Sequence, residues 1–277
     1  MMVHQLERRI INGLDTAITT AGTGTSTSAG SPVIFVHGNP DSADEWAPFL
    51  DRADELGRVI APDMPGFGRS GRPARIDMQT LMNWFAALVD DLSLHRYRLV
   101  VHDWGSVALA AAAIRPERLD KLVVIDGVAL SAQYRWHWLA RVWRTPILGE
   151  LAVFGIRRPT LQLLTRLSSP RPGPMDEAFI DEVMQHLDAG MRRAILGLYR
   201  SADPAALEAA GAALPNVRCP SLVVWGEGDP YLGVAEAHRF GEALADADVE
   251  IVPGVGHWCF REDPVVVDRV IDFLGLG

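Results

Sequence analysis

The chain has 277 residues, 48% hydrophobic and 22% charged, enough apolar material for one large α/β domain or two smaller ones and too ordinary a mix for a disordered or fibrous protein. With 26 Lys+Arg against 35 Asp+Glu the net charge is −9, which argues against a surface built to neutralise nucleic-acid phosphates. Cys219 and Cys259 are too few for a disulfide framework and lack the paired spacing of a structural zinc site, so a reducing compartment is expected.

The N-terminal run Met1 to Arg9 carries charge where a signal peptide needs its apolar stretch, and no window holds 18 consecutive apolar residues. A cytoplasmic protein without a membrane span is the expectation. Residues 3–20 alternate loosely and predict a strand pair, and the small-residue run from Ala21 to Ser31 predicts a loop tip. Short apolar runs then follow at Val33–Val36, Arg58–Ala61, Tyr97–Val101, Lys121–Ile125, Ser221–Trp225 and Val249–Val252, each bounded by turn residues and each predicted as a buried strand. Helical spacing over Met78–Leu94 and Val107–Arg115 completes the strand–helix alternation of a parallel sheet.

That alternation stops between about Ser131 and Ala206, where Trp136, Trp138, Trp143, Phe154, Leu161, Leu164 and Met184 fall at helical spacings with no strand run among them. A helical insertion is predicted there, divided by the proline-rich loop Ser168 to Pro174.

Chemistry concentrates in three places. Leu99-Val100-Val101-His102-Asp103-Trp104-Gly105-Ser106 runs from a buried strand through a tight turn into an Ala-rich helix, the sequence form of a nucleophile elbow. The elbow position holds Asp103 in place of serine, so the expected nucleophile is a carboxylate and the product of its attack on carbon is an ester. Further on, Gly226-Glu227-Gly228-Asp229-Pro230 and Gly254-Val255-Gly256-His257-Trp258 each follow a strand, giving the chain order nucleophile, acid, histidine. Asp229 would hold one tautomer of His257, and His257 would deprotonate the water that attacks the ester. The run Gly66-Phe67-Gly68-Arg69-Ser70-Gly71 matches a nucleotide-binding pattern, but Arg72-Pro73 follows at once where that pattern needs an opening helix, so a tight loop explains it better. No clustered Cys/His set or H-E-x-x-H points to a metal, and the chemistry needs neither metal nor cofactor.

Together with His37-Gly38-Asn39-Pro40 and Asp63-Met64-Pro65-Gly66-Phe67-Gly68-Arg69-Ser70, these motifs resemble the haloalkane dehalogenase and epoxide hydrolase group of the α/β-hydrolases, over residues 31–277. The resemblance implies a mostly parallel sheet flanked by helices, with a core of residues 1–130 and 207–277 and a helical cap over 131–206. It implies a cofactor-independent hydrolase acting with water on a small apolar molecule. In dehalogenases of this group the halide is held by the Asn of H-G-N-P and the Trp after the nucleophile, here Asn39 and Trp104. Epoxide hydrolases use two cap tyrosines instead; Tyr199 matches one of them, and Tyr134 is the nearest candidate for the other. The filled dehalogenase positions favour carbon–halogen cleavage, with epoxide hydrolysis as the alternative and a scaffold with another substrate or a ligand-binding role as a third reading. Trp136, Trp138, Trp143 and Trp258 are expected to wall the pocket, with His37 and His102 beside it.

Overall fold

The computed structural model describes residues 4–22, 30–171 and 177–275. Most of the predicted loop tip at 21–31, and Pro172 to Pro174 of the proline-rich loop, lie outside the described residues. Eight strands form one sheet: β1 (Gln5–Ile11), β2 (Leu14–Ala21), β3 (Val33–Val36), β4 (Val59–Pro62), β5 (Tyr97–Asp103), β6 (Leu119–Gly127), β7 (Ser221–Gly226) and β8 (Ala247–Val252), in spatial order β1-β2-β4-β3-β5-β6-β7-β8. β1 and β2 make a hairpin through Asn12 and Gly13, whose φ values of 50° and 77° suit the primed turn that a two-residue loop requires. β2 meets β4 antiparallel, and every pair from β4 to β8 is parallel. β3, β4, β5 and β7 are buried along their whole length, as continuous apolar runs covered on both faces must be.

Helices cover the sheet. The helix Met78–Asp91 starts where Asp77 accepts the Thr80 N–H at 2.7 Å, and turns Met78, Leu81, Met82, Phe85, Leu88 and Val89 inward at the spacing of one helical face. It packs on Ser106–Ala112, whose alanines permit close approach. Both helices are shorter at their C-terminal ends than the sequence spacing predicts; β3 has the predicted bounds, β4 lies one residue later at the same length, and β5 to β8 run one or more residues longer.

Because β3 lies between β4 and β5, the chain leaves β3 towards one neighbour and returns to the other. The crevice at the carboxyl ends of β3 and β5 is therefore a topological switch point, the place where a parallel sheet offers room for a ligand. Between β6 and β7 stand the helices Trp138–Arg144, Leu148–Phe154, Arg158–Arg166, Glu177–His186, Ala189–Ser201 and Pro204–Gly211. The last of these runs across residue 206, the expected end of the insertion, and packs on Ser106–Ala112 of the sheet's own layer. The helix Ala189–Ser201 is capped by Asp188, which accepts the Met191 N–H at 2.8 Å, and it buries Met191, Ile195, Leu198 and Tyr199 along one face. At Gly197 a Cβ would stand 2.3 Å from the Ile76 carbonyl oxygen, so glycine lets this helix settle on the segment before Met78–Asp91 with Tyr199 over the crevice.

Candidate active site

β5 ends in the turn that carries Asp103. Its φ of 45° lies in the left-handed region that an aspartate tolerates better than most residues, and the register against β6 shifts there, with Asp103 opposite Gly127. Two glycines make the turn fit. A Cβ at Gly105 would stand 2.2 Å from the Val36 carbonyl oxygen, and one at Gly38 would stand 2.6 Å from the Asp103 Cβ. The Asp103 carboxylate accepts the Asn39 N–H at 2.9 Å and the Trp104 N–H. Burial holds this carboxyl above its ordinary range against the opposing pull of His257, His102 and those two N–H groups.

β7 and β8 bring in the other two members. Asp229 Oδ2 stands 2.8 Å from His257 Nδ1, while Oδ1 accepts the Tyr231 and Leu232 N–H groups at 2.7 and 3.0 Å, so the carboxylate is fixed before it orients the ring. Burial alone would depress the His257 imidazolium, but the bonded Asp229 and the charge of Asp103 outweigh it and hold its pKa up at about 10. The resting site therefore carries an imidazolium between carboxylates. An ester at Asp103 would remove one of those charges, weakening the imidazolium at the step where a base is needed.

Asp103, His257, Asn39, Tyr134, Tyr199, Trp136, Trp143 and Trp258 share one cavity. Apolar and aromatic side chains make most of its wall. Trp104 is wholly buried and stacks under Trp136 at 5.7 Å between ring centroids. Its Nε1 has no well-formed hydrogen bond among the described residues. Asn39 Nδ2 makes a long 3.5 Å contact to Tyr199 Oη, and Asn39 Oδ1 is buried without a partner among the described residues. Burial and the Asp103 charge hold the Tyr199 hydroxyl well above the usual phenol range. Tyr134 also lines the cavity, with its Oη buried and unpartnered among the described residues.

Trp138 does not join this wall. It is 52% exposed, because Leu139, Ala140 and Trp143 take the inner face of its helix and position 138 turns away from them. Its neighbour His137, not singled out from the sequence, lines the cavity instead, as does Tyr231. His137 caps the helix by accepting the Ala140 N–H on Nδ1 at 3.3 Å, and burial lowers its pKa to about 4, so the ring is neutral with its proton on Nε2. His37 and His102 stand beside the cavity, His37 Nε2 accepting the Met64 N–H at 2.9 Å. A further acid was also missed: Asp126, at the end of β6 with φ 39°, accepts the Gly226 N–H at 2.9 Å and has an oxygen within 4.8 Å of ligand-type atoms of Asp229 and His257. Its signal was the Ile-Asp-Gly at the strand end, which pattern reading absorbs as a turn. Among the described residues, Asp126/Asp229/His257 and Asp41/Glu45/His102 are the sets with ligand atoms close enough to hold a metal; both are buried, with His257 bonded to Asp229 in one and His102 facing Glu45 in the other.

Comparison with known proteins fits this arrangement. The family described as alpha/beta hydrolase fold matches residues 31–264. A haloalkane dehalogenase from Mycolicibacterium paratuberculosis is 34% identical over 223 residues, covering 75% of this chain and 71% of the relative. A 2-hydroxymuconate semialdehyde hydrolase from a Pseudomonas species is 30% identical over 245 residues, covering 83% and 81%. Among solved structures, haloalkane dehalogenase DbeA from Bradyrhizobium elkani superposes with a TM-score of 0.80 at 26% identity, covering 98% of both chains. Epoxide hydrolase CorEH shares the fold, with a TM-score of 0.81 at 21% identity over 98% of both chains. Within the described residues no helix is long and apolar enough to cross a membrane. An aspartate at the elbow, a histidine and acid in the expected chain order, and relatives of this identity lead to one conclusion: the chain is a hydrolase of the α/β-hydrolase fold family and belongs to its haloalkane dehalogenase and epoxide hydrolase group.

Proposed function

We propose that this enzyme hydrolyses the carbon–halogen bond of a small apolar haloalkane. The observation that carries the reading is the pair of side-chain N–H donors beside the nucleophile, Trp104 Nε1, buried without a well-formed bond, and Asn39 Nδ2, with a long contact to Tyr199. A departing halide is a weakly basic anion, and such donors in an apolar cavity stabilise it without having to give up a proton. Asp103 attacks the carbon, the carbon–halogen electron pair leaves with the halide, and an alkyl ester remains on Asp103. With the Asp103 charge removed by the ester, the His257 imidazolium gives up its Nε2 proton, which leaves with the halide, and the neutral Nε2 then takes a proton from water, whose oxygen attacks the ester carbonyl. The Asn39 and Trp104 N–H groups, already on the carboxylate, receive the oxyanion. Collapse releases the alcohol and restores Asp103. The helical insertion between β6 and β7 acts as the lid over this reaction.

Two tyrosines on the cavity wall favour a second reading, an epoxide opened by Asp103 while Tyr199 and Tyr134 donate to the ring oxygen. The same triad would then hydrolyse a hydroxyalkyl ester to a vicinal diol. Incubation with a short 1-bromoalkane and with styrene oxide separates the two, by halide release and diol formation. Trp104→Phe keeps the stacking on Trp136 and removes the donor, so halide release is expected to fall about 10²-fold in kcat/KM. Diol formation abolished by Tyr199→Phe, without any halide release by the wild type, would overturn the first reading. Silence on both substrates would point to a different substrate class.

A further inference from the structure

Beneath the His257–Asp229 pair lies a second buried set of titratable groups that the proposed reaction leaves unused. Glu45 and His102 are almost completely buried, and Asp41 is beside them. His102 Nε2 stands 3.0 Å from the His257 carbonyl oxygen. A carbonyl accepts and never donates, so the hydrogen is on Nε2. On the other side of the ring, Nδ1 stands 3.2 Å from Glu45 Oε2, while Glu45 Oε1 accepts the Gly38 N–H at 3.2 Å. An imidazole lone pair facing a carboxylate lone pair makes no bond, so this second contact needs a proton of its own.

We propose that Glu45 and His102 share one proton and together form a positioning pair, which fixes the backbone of His257 at one end and the Gly38–Asn39 segment beside Asp103 at the other. The inference rests on the reading of His257 as the base and Asp103 as the nucleophile. Its local electrostatics agree. Burial pushes Glu45 up to about 8 and His102 down to about 4, which favours the neutral acid against the neutral ring. The groups facing Glu45 are Asp41, Arg261 and Asp103; those facing His102 are His257, Asp103 and Asp41. Asp41 is the other acid here: burial and the Glu45 charge hold its carboxyl well above the ordinary range, it shares a hydrogen bond with Glu45, and its Oδ2 accepts the Trp258 Nε1–H at 3.0 Å. When the shared proton leaves above about pH 8, a carboxylate faces a ring lone pair in the interior, and the hold on both segments weakens.

Glu45→Gln tests this, because its amide donates to His102 Nδ1 and accepts from Gly38 without titrating. Turnover at pH 7 is expected to stay within about threefold of wild type, while the alkaline fall near pH 8 moves up by about one pH unit or more. Glu45→Leu, with neither bond, is expected to lose about tenfold or more in kcat with KM changed less than about threefold. Stability supplies a check that needs no substrate. Glu45 has a folded pKa above its ordinary 4.5, so its contribution is full below pH 4.5 and is lost as pH rises to about 8. Glu45→Gln should therefore gain stability relative to wild type over that window.

The imidazole ¹⁵N resonances of His102 in the resting enzyme give a second substrate-free readout, with an N–H-type Nε2 and a transition near pH 8 that Glu45→Gln abolishes. The proposal is overturned if Glu45→Gln keeps the alkaline fall, if Asp41→Asn removes it instead, or if His102 carries its proton on Nδ1 with Nε2 bare. Should neither bromoalkane nor epoxide be turned over, the stability and ¹⁵N measurements still decide the proton pair, and that failure belongs to the substrate reading alone.

Discussion

With His257 replaced by phenylalanine, the enzyme is expected to release about one equivalent of halide per chain and then stop, its mass raised by the alkyl group now on Asp103. In the proposed mechanism Asp103 attacks as a carboxylate already oriented by the Asn39 and Trp104 N–H groups, so ester formation does not require a base. Hydrolysis does, and His257 with its Asp229-bound Nδ1 is the group placed to provide it. Loss of a general base of this kind lowers the rate of its step by about 10²–10⁴-fold, enough for the ester to accumulate. Intact mass and peptide mapping after incubation with 1-bromobutane read the outcome directly. Continued steady turnover, or a label on any residue other than Asp103, would count against the covalent mechanism. A hydroxyphenylethyl label on Asp103, formed from styrene oxide while the bromoalkane leaves none, would transfer the same mechanism to the epoxide reading.

The ester also changes the electrostatics of its own hydrolysis. In the resting site the Asp103 charge, together with Asp229, holds the His257 imidazolium up at about 10. Esterification removes that charge while Asp229 stays bonded to Nδ1, so the ring releases its proton more readily after the first step than before it. Asp103→Asn imitates the loss, and the His257 pKa measured by NMR is expected to fall below that of the wild type.

Much of this was legible in the sequence because it is carried by local rules. The strand–helix alternation, the apolar strand leading into Asp103, and the order Asp103, Asp229, His257 depend on neighbours in the chain, and the sheet brings the three loops together at its carboxyl edge. What the sequence left open depends on which way a helix faces. Trp136, Trp138 and Trp143 look alike in composition, yet the rotation of one short helix puts Trp143 in the cavity wall and Trp138 in solvent. The same rotation sets His137, a helix cap by local pattern, at the cavity. Tyr134 precedes that helix and reaches the cavity with its ring packed edge-on against Trp136. Glu45 and Asp126 escape sequence reading for another reason. Each is an ordinary acid in its own segment, and becomes unusual when distant segments bury it against His102 or Asp229.

Asp126 gives the second large effect. In the resting site its carboxyl is pushed well above the ordinary range by burial and by the charge of Asp229, which favours the neutral form of Asp126 beside the Asp229–His257 bond. Asp229→Asn removes that charge and with it a main reason for Asp126 to stay protonated. Asp126 can then ionise within the same cluster and restore a negative charge near the imidazolium. Asp229→Asn is therefore expected to lose about 10²-fold in kcat, well short of the loss of about 10⁴ that follows when a triad acid has no substitute. Asp126→Asn alone keeps the Asp229–His257 bond and is expected to cost less than about tenfold. The double variant should lose about 10⁴-fold or more, beyond the product of the two single effects, because each acid covers for the other. Steady-state kinetics of the four proteins measure that coupling. If the two losses simply multiply, Asp126 acts independently of the dyad and its charge does not reach His257. If Asp229→Asn is as inactive as the double variant, Asp126 remains protonated even without its neighbour, and the strain at its positive φ serves the bond to Gly226 rather than the histidine.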